Sequence, residues 1–312
     1  MLVELYAKTH VGRIRAGNED NFLVLDLTTS RAWTGSDGEE PPAEMCRFEV
    51  GPKGLVLVVS DGMGGALAGD VASRMAVETV RDMLTGSEAG EPGGCGPDTP
   101  LVECLKNATD YANFAIHRRS QEDPSTSGMG ATLTAAAVGH DGLSLLQVGD
   151  SRGYIIRGRQ IKLATKDQSL VQQLVDVGQI SEQEAETHMF RNVILQALGA
   201  QPELTPVTGR VQLCRGDLVL LCSDGLSGKL RAQDMLDIVE AAGGDLERAC
   251  ADLVDEANDR GGEDNITVVL ARLDGPDLPS PNSGRISVEP PAPDGDGDDT
   301  MGREDDTTER LN

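Results

Sequence analysis

Leu55-Val56-Leu57-Val58-Val59-Ser60-Asp61-Gly62-Met63-Gly64-Gly65 is the stretch on which the reading of this chain turns. Five apolar residues make a run of strand length, and Ser-Asp-Gly ends it as turn formers end strands. The same Ser-Asp-Gly closes a second run, Leu218 to Cys222, at Ser223-Asp224-Gly225. A third run, Leu143 to Val148, stops at Gly149-Asp150-Ser151. Glu263-Asp264-Asn265 opens the run from Ile266 to Leu273, and Gly17-Asn18-Glu19-Asp20 opens Phe22 to Leu27.

Working outward, Thr132 to Val138 and Leu143 to Val148 flank His140-Asp141-Gly142, a hairpin signal. Tyr154 to Ile156 and Ile161 to Leu163 flank Gly158-Arg159, and Val207 to Leu213 adds another strand. Helical spacing marks Val71, Met75, Val80 and Leu84, then Leu101, Leu105, Ala108, Ala112 and Ile116. Met235, Ile238 and Val239 precede Leu246, Cys250, Leu253 and Val254, which predicts a helical pair. Hairpins interrupted by helices predict an α+β domain in which helices cover antiparallel sheets. Residues 28–53 and 86–100 are rich in turn formers and read as surface insertions. Residues 274–312 hold 11 acidic and 3 basic residues and almost no large apolar ones, so they read as a disordered acidic tail. The domain is therefore expected to span 1–273.

Composition narrows the function. The formal net charge is -25, which argues against nucleic acid as a partner. Met1-Leu2-Val3-Glu4 lacks the pattern of a secretion signal, and no apolar run approaches the ~20 residues that span a bilayer. The expected location is the cytoplasm, away from the membrane. The six cysteines form no CxxC pair or zinc pattern and read as small buried hydrophobes of a reducing compartment. None sits in a CxxxxxR loop, which weighs against a cysteinyl phosphate intermediate.

A single Asp-Gly after a strand is an ordinary turn. Five strand ends that all carry carboxylates beside Gly or Asn point further. If the ends converge, the carboxylates repel, and divalent cations relieve the repulsion. Oxygen ligands with no His or Cys nearby favour Mg²⁺ or Mn²⁺. Two such ions about 3.5–4 Å apart are a device for phosphate ester hydrolysis. Arg15, five residues before Asp20, could offer a planar fork to phosphate oxygens.

These residues resemble the motifs of the PPM family, the metal-dependent type 2C protein phosphatases in their bacterial form. Arg15-Ala16-Gly17-Asn18-Glu19-Asp20-Asn21-Phe22, Asp61-Gly62-Met63-Gly64-Gly65, Gly128-Met129-Gly130-Ala131-Thr132-Leu133 and Gly149-Asp150-Ser151-Arg152 follow in the family's order. Ser223-Asp224-Gly225 and Asp264-Asn265-Ile266-Thr267-Val268 complete the set. The resemblance implies a four-layer α-β-β-α sandwich, two antiparallel sheets flanked by helices, with a flap subdomain at about 167–199. It implies two Mn²⁺ or Mg²⁺ ions, held by Asp61, the Gly62 carbonyl, Asp224 and Asp264, with a third ion shared by Asp150 and Asp224. Asp20 would orient waters at the ions, and Arg15 would bind the substrate phosphate. Met63 stands where some animal members have a histidine general acid, so no general acid is assigned.

The expected function is hydrolysis of phosphoserine and phosphothreonine in proteins by a monomer acting on phosphoproteins, a serine/threonine kinase or its targets among them. The alternative is a catalytically silent phosphoprotein-binding adaptor of the same fold. Turnover of a small phosphate ester separates the two.

Overall fold

The computed structural model describes residues 1–36, 41–65, 68–86, 96, 99–139, 142–281 and 285–290. Its first half contains β1 (Leu2–His10), β2 (Asp20–Asp26), β3 (Arg31–Thr34), α1 (Ala43–Cys46), β4 (Arg47–Glu49) and β5 (Leu55–Met63). α2 (Ala68–Gly86), α3 (Leu101–Glu122), β6 (Gly130–Ala131), β7 (Leu133–Gly139), β8 (Gly142–Val148), β9 (Arg152–Arg157) and β10 (Gln160–Leu163) follow. The flap contributes α4 (Leu170–Asp176) and α5 (Glu182–Thr187). Then come β11 (Val207–Val211), β12 (Asp217–Cys222), α6 (Asp224–Ser227), α7 (Ala232–Ala241), α8 (Leu246–Asp259), β13 (Ile266–Asp274) and β14 (Val288–Glu289).

The strands form two antiparallel sheets. One runs β10-β9-β12-β13-β1-β4, and the other β14-β11-β8-β7-β5-β2-β3 with β6 paired to β5. Side-chain alternation explains the layers. On β5, Leu55, Leu57 and Val59 enter the core between the sheets, while Val56 and Val58 face α2 and α3. On β12, Val219 and Leu221 join the central core, while Leu220 and Cys222 face α7 and α8. Both faces of these strands are covered, so their sequences are continuously apolar rather than alternating. The result is the expected four-layer α-β-β-α sandwich.

Three expectations need correction. Residues 28–53 are more than a surface insertion, because β3 and β4 lie there and Trp33 and Met45 are core residues. Trp33 packs edge-on against Phe22, ring centroids 4.9 Å apart, which its neighbouring turn formers concealed. The tail does not begin at residue 274: Ile286 is 2% exposed and β14 pairs with β11. Ile286, with Leu278 and Val288 packed against the same core and two ladder positions, holds that stretch, too little for a composition argument to register. Residues 291–312 lie outside the described residues, as do most of 86–100. Finally, Cys104 is disulfide-bonded, whereas Cys46, Cys214, Cys222 and Cys250 are free thiols. A disulfide depends on proximity in space, which sequence spacing does not reveal.

The end of the sandwich that carries the acidic motifs is tightly joined. Gly225, the second residue of α6, lies against Asn265 and the start of β13, and a Cβ there would overlap the Asn265 carbonyl oxygen. We expect Gly225→Ala to push α6 from β13 and destabilise the protein by about 1–3 kcal/mol, read as a lowered midpoint in urea. An unchanged midpoint would show that this approach is not constrained.

Candidate active site

The site begins with one register position. β2 and β5 pair so that Asp20 lies opposite Asp61. The Gly62 amide donates to the Glu19 carbonyl at 3.1 Å. The Asp61 amide donates to Thr132 Oγ1 at 3.0 Å, and the Thr132 amide donates back to the Asp61 carbonyl at 2.8 Å. Thr132 and Ser151 share a hydroxyl hydrogen bond of 2.7 Å, which ties this position to the turn bearing Asp150.

The second sheet supplies the other half. The Ser223 hydroxyl donates to Asp20 Oδ2 at 2.7 Å and accepts the Thr267 amide at 3.0 Å, so one serine bridges the two sheets. Asn265 Oδ1 accepts the Glu19 amide at 2.8 Å, and Asn265 Nδ2 donates to the Val11 and Gly17 carbonyls. These bonds fasten the 11–19 loop, which carries Arg15, to the start of β13. Arg15 Nη2 donates to Asp264 Oδ2 at 2.7 Å, and Asp264 Oδ1 accepts the Asn265 amide at 2.8 Å.

Asp150 sits in the turn between β8 and β9, and the root of the flap grips that turn. The Gln168 amide donates to the Gly149 carbonyl at 2.8 Å, and Gln168 Oε1 accepts the Gly149 amide at 2.9 Å. Beside it, Arg152 forks onto the Asp167 carboxylate through Nε and Nη2. The expected capping box opens α5 at Ser181 and Glu184.

Electrostatics show that the carboxylates are neighbours. Burial raises the Asp20 carboxyl to about 7, Ser223 and Thr267 oppose the rise, and Asp224 and Asp264 add to it. Asp61 is pushed well above the usual carboxylate range by burial, then by Asp20, Asp224, Asp150 and Asp264. Asp150 rises to about 7 through burial and through Asp224 and Asp167, against the pull of Arg152. Asp224 is raised by burial and Asp264, and a hydrogen bond to Asp61 holds it back. Each shift reports the same condition, negative charge in a pocket with too little positive charge.

Two observations test whether cations fit. Oδ1 of Asp20 and Oδ1 of Asp150 are buried and have no hydrogen-bond partner. Orphaned carboxylate oxygens are costly unless something positive meets them. The donor set is all oxygen, which suits Mg²⁺ or Mn²⁺. Yet among the described residues no three His, Cys, Asp or Glu side chains are already arranged to share one ion. Asp264, for its part, is engaged by Arg15.

Sequence reasoning missed four participants. Glu19 is 7% exposed, with its carboxylate against Gly69 at the start of α2. Burial raises its carboxyl, Arg15 lowers it, and Asp264 and Asp70 raise it further. Its place directly before Asp20 was the available signal. Ser223, Thr132 and Asn265 position the acids by hydrogen bonds across the fold, and no spacing rule reveals such bonds. Burial pushes the Cys222 thiol, two residues from Asp224, up to about 12, so it is no nucleophile.

Raised carboxyl groups carry a sign for stability. Asp20 and Asp150 take up protons near pH 7 in the folded chain and only near pH 4 when unfolded. The folded state thus binds more protons between about pH 4 and 7, and stability rises as pH falls through that range. In metal-free buffer we expect a higher melting temperature at about pH 5 than at pH 8, with a smaller difference in Asp61→Asn, which removes one buried charge. A profile equally steep in the variant would show that the pocket is not its source.

Known proteins share this architecture. The chain matches the Protein phosphatase 2C family over residues 41–270. The serine/threonine phosphatase stp of Listeria monocytogenes serotype 4b is 33% identical over 274 residues, 86% of this chain and 94% of that protein. The crystal structure of the Mycobacterium tuberculosis serine/threonine phosphatase PstP/Ppp superposes with a TM-score of 0.70 at 30% identity, covering 88% of this chain and all of that one. The catalytic domain of PstP in complex with two manganese ions superposes with a TM-score of 0.67 at 31% identity, covering 88% of this chain and 100% of that one. Two sheets that deliver acids to one end of a sandwich, and relatives alike over nearly the whole fold, lead to one statement: this chain belongs to the protein phosphatase 2C family and is a protein phosphatase.

Proposed function

We propose that the chain hydrolyses phosphoserine and phosphothreonine in proteins by direct attack of water at a centre of two Mn²⁺ or Mg²⁺ ions, with a third, weaker one beside it. The observation that carries the reading is the cluster of buried carboxylates with its orphaned oxygens at Asp20 and Asp150. Asp61, the Gly62 carbonyl, Asp224 and Asp264 are the proposed ligands of the pair, and Asp150 with Asp224 of the third. The ions supply positive charge for the phosphoryl oxygens and lower the pKa of a nearby water.

The chain's own residues do the rest. Asp20, fixed by Ser223 through Oδ2, keeps a buried Oδ1 without a hydrogen-bond partner and would use it to orient a water at the ions. Arg15, half exposed at the mouth, is placed to turn its fork from Asp264 to a substrate phosphate. Met63 offers no proton for the leaving alkoxide, so the seryl or threonyl oxygen takes its proton from solvent.

The substrates in this reading are phosphoproteins, a serine/threonine kinase or its targets among them, met by a monomer in the cytoplasm. Among the described residues no helix is long and apolar enough to cross a membrane. The intact acidic set supports an enzyme over a silent adaptor.

The test is phosphate release from a phosphothreonine peptide and from a small phosphate ester, with Mn²⁺ added. Both should be turned over. Asp61→Asn and Asp224→Asn should each lose more than about 100-fold, beyond the 10–100-fold that outer-shell changes cost a metal site. Full activity in Asp61→Asn would refute the proposed centre. We also expect Arg15→Lys to raise KM for the peptide, because an ammonium cannot replace the bidentate fork. An unchanged KM would remove Arg15 from phosphate binding.

A further inference from the structure

A cleft of about 580 Å³ opens at the opposite end of β9 from the acidic cluster, between β10, α7 and residues 285–287. β9 is six residues long, so roughly 20 Å of strand separates the two. Arg159, Lys162 and Arg285 line the cleft, with Gln233, Leu236 and Ile286. The whole chain has 52 acidic and 27 basic residues. Among the described lining residues there are three cations and no carboxylate. Such local inversion of the protein's charge selects an anionic occupant.

The cations are held toward the opening. Lys162 Nζ donates to the Ile286 carbonyl at 3.0 Å, which fixes the ammonium at the cleft wall and leaves its other protons free. Arg159 is 83% exposed and pairs with Glu240 at 3.4 Å, and Gln233 Nε2 donates to Asp237 at 2.8 Å, so two carboxylates stand beside the lining residues. Leu236 and Ile286 form an apolar floor; Ile286 is 2% exposed and belongs to the central core.

The chain passes through this cleft shortly before an anionic segment. Ser287 lines the cleft, and β14 then pairs with β11, where Val288, Glu289 and Pro290 line a neighbouring groove with Lys166. Residues 291–312 then hold 8 acidic and 2 basic residues. Asp294, Asp296, Asp298 and Asp299 form one group; Glu304, Asp305, Asp306 and Glu309 form another. From Pro290 to Asp294 the chain can reach about 14 Å, at 3.3–3.6 Å per residue. We propose that this cleft is the docking site of the chain's own acidic segment, residues 294–309, held by Arg159, Lys162 and Arg285. Single exposed ion pairs are weak. A short tether supplies an effective concentration on the order of millimolar, so weak pairs suffice. Docking of this kind also yields to salt, and to any stronger anionic chain that reaches the cleft.

Zero-length carbodiimide cross-linking of the full chain, read by peptide mass spectrometry, tests this directly. The reagent joins carboxylates to lysine amines in contact, and the chain has six lysines: Lys8, Lys53, Lys106, Lys162, Lys166 and Lys229. At low salt, links from residues 294–309 should fall mainly on Lys162. They should drop several-fold in about 0.5 M NaCl, where screening is short-ranged. Arg159→Glu with Arg285→Glu, and separately Gln233→Glu, should lower the Lys162 links several-fold while turnover of a small phosphate ester with Mn²⁺ stays at the parent level. Links spread over the lysines according to exposure would overturn the proposal. So would Lys162 links that survive charge reversal, or links that form between chains in a mixture of isotopically light and heavy protein.

Discussion

Mutual repulsion among buried carboxylates governs this structure. Asp20 and Asp61 face each other across one strand pair, and Asp224, Asp264 and Asp150 approach from neighbouring strand ends. A cluster of this kind opposes folding unless the scaffold is strong enough to impose it or a cation relieves it. The scaffold here is strong. Three apolar layers cover both faces of β5, β12 and β13, the strands at whose ends most of the acids are placed. The excess stability of that core is what permits a pocket in unfavourable electrostatic balance, and that imbalance is the site's affinity for divalent cations.

The acids are held by groups that carry no net charge. Ser223 joins Asp20 to β13, Thr132 fixes the Asp61 backbone, and Asn265 fastens the loop of Arg15. Neutral donors position a carboxylate while doing little to cancel its charge, so the pocket stays negative. Arg15 is the exception: its pairing with Asp264 places a guanidinium in contact with a proposed ligand. The same arginine can pass from a carboxylate to a phosphate without leaving the rim. The flap joins this system at its root, where Gln168 and Asp167 grip the turn of Asp150.

Much of this was legible in the sequence. The runs at 55–59, 218–222 and 266–273 became central strands, because an apolar run capped by Ser-Asp-Gly or opened by Asp-Asn has few other solutions. The acids Asp20, Asp61, Asp150, Asp224 and Asp264 were visible as strand-end residues, and the fold brings them into electrostatic contact. β1 was overlooked, since Val3, Leu5 and Ala7 alternate with Glu4, Tyr6 and Lys8 in a pattern that a search for apolar runs passes by. β3 and β4 were hidden among turn formers, although Trp33 was the clue. Glu19 was passed over beside the more conspicuous Asp20. The Arg15–Asp264 pair spans 249 positions, and no local pattern encodes it.

The most direct test of the central claim is anomalous diffraction from crystals grown with Mn²⁺. Peaks should lie between Asp61, Asp224 and Asp264, with Arg15 released from Asp264 and turned toward the opening. Peaks elsewhere on the acidic surface, with the Arg15–Asp264 pair intact, would contradict the account.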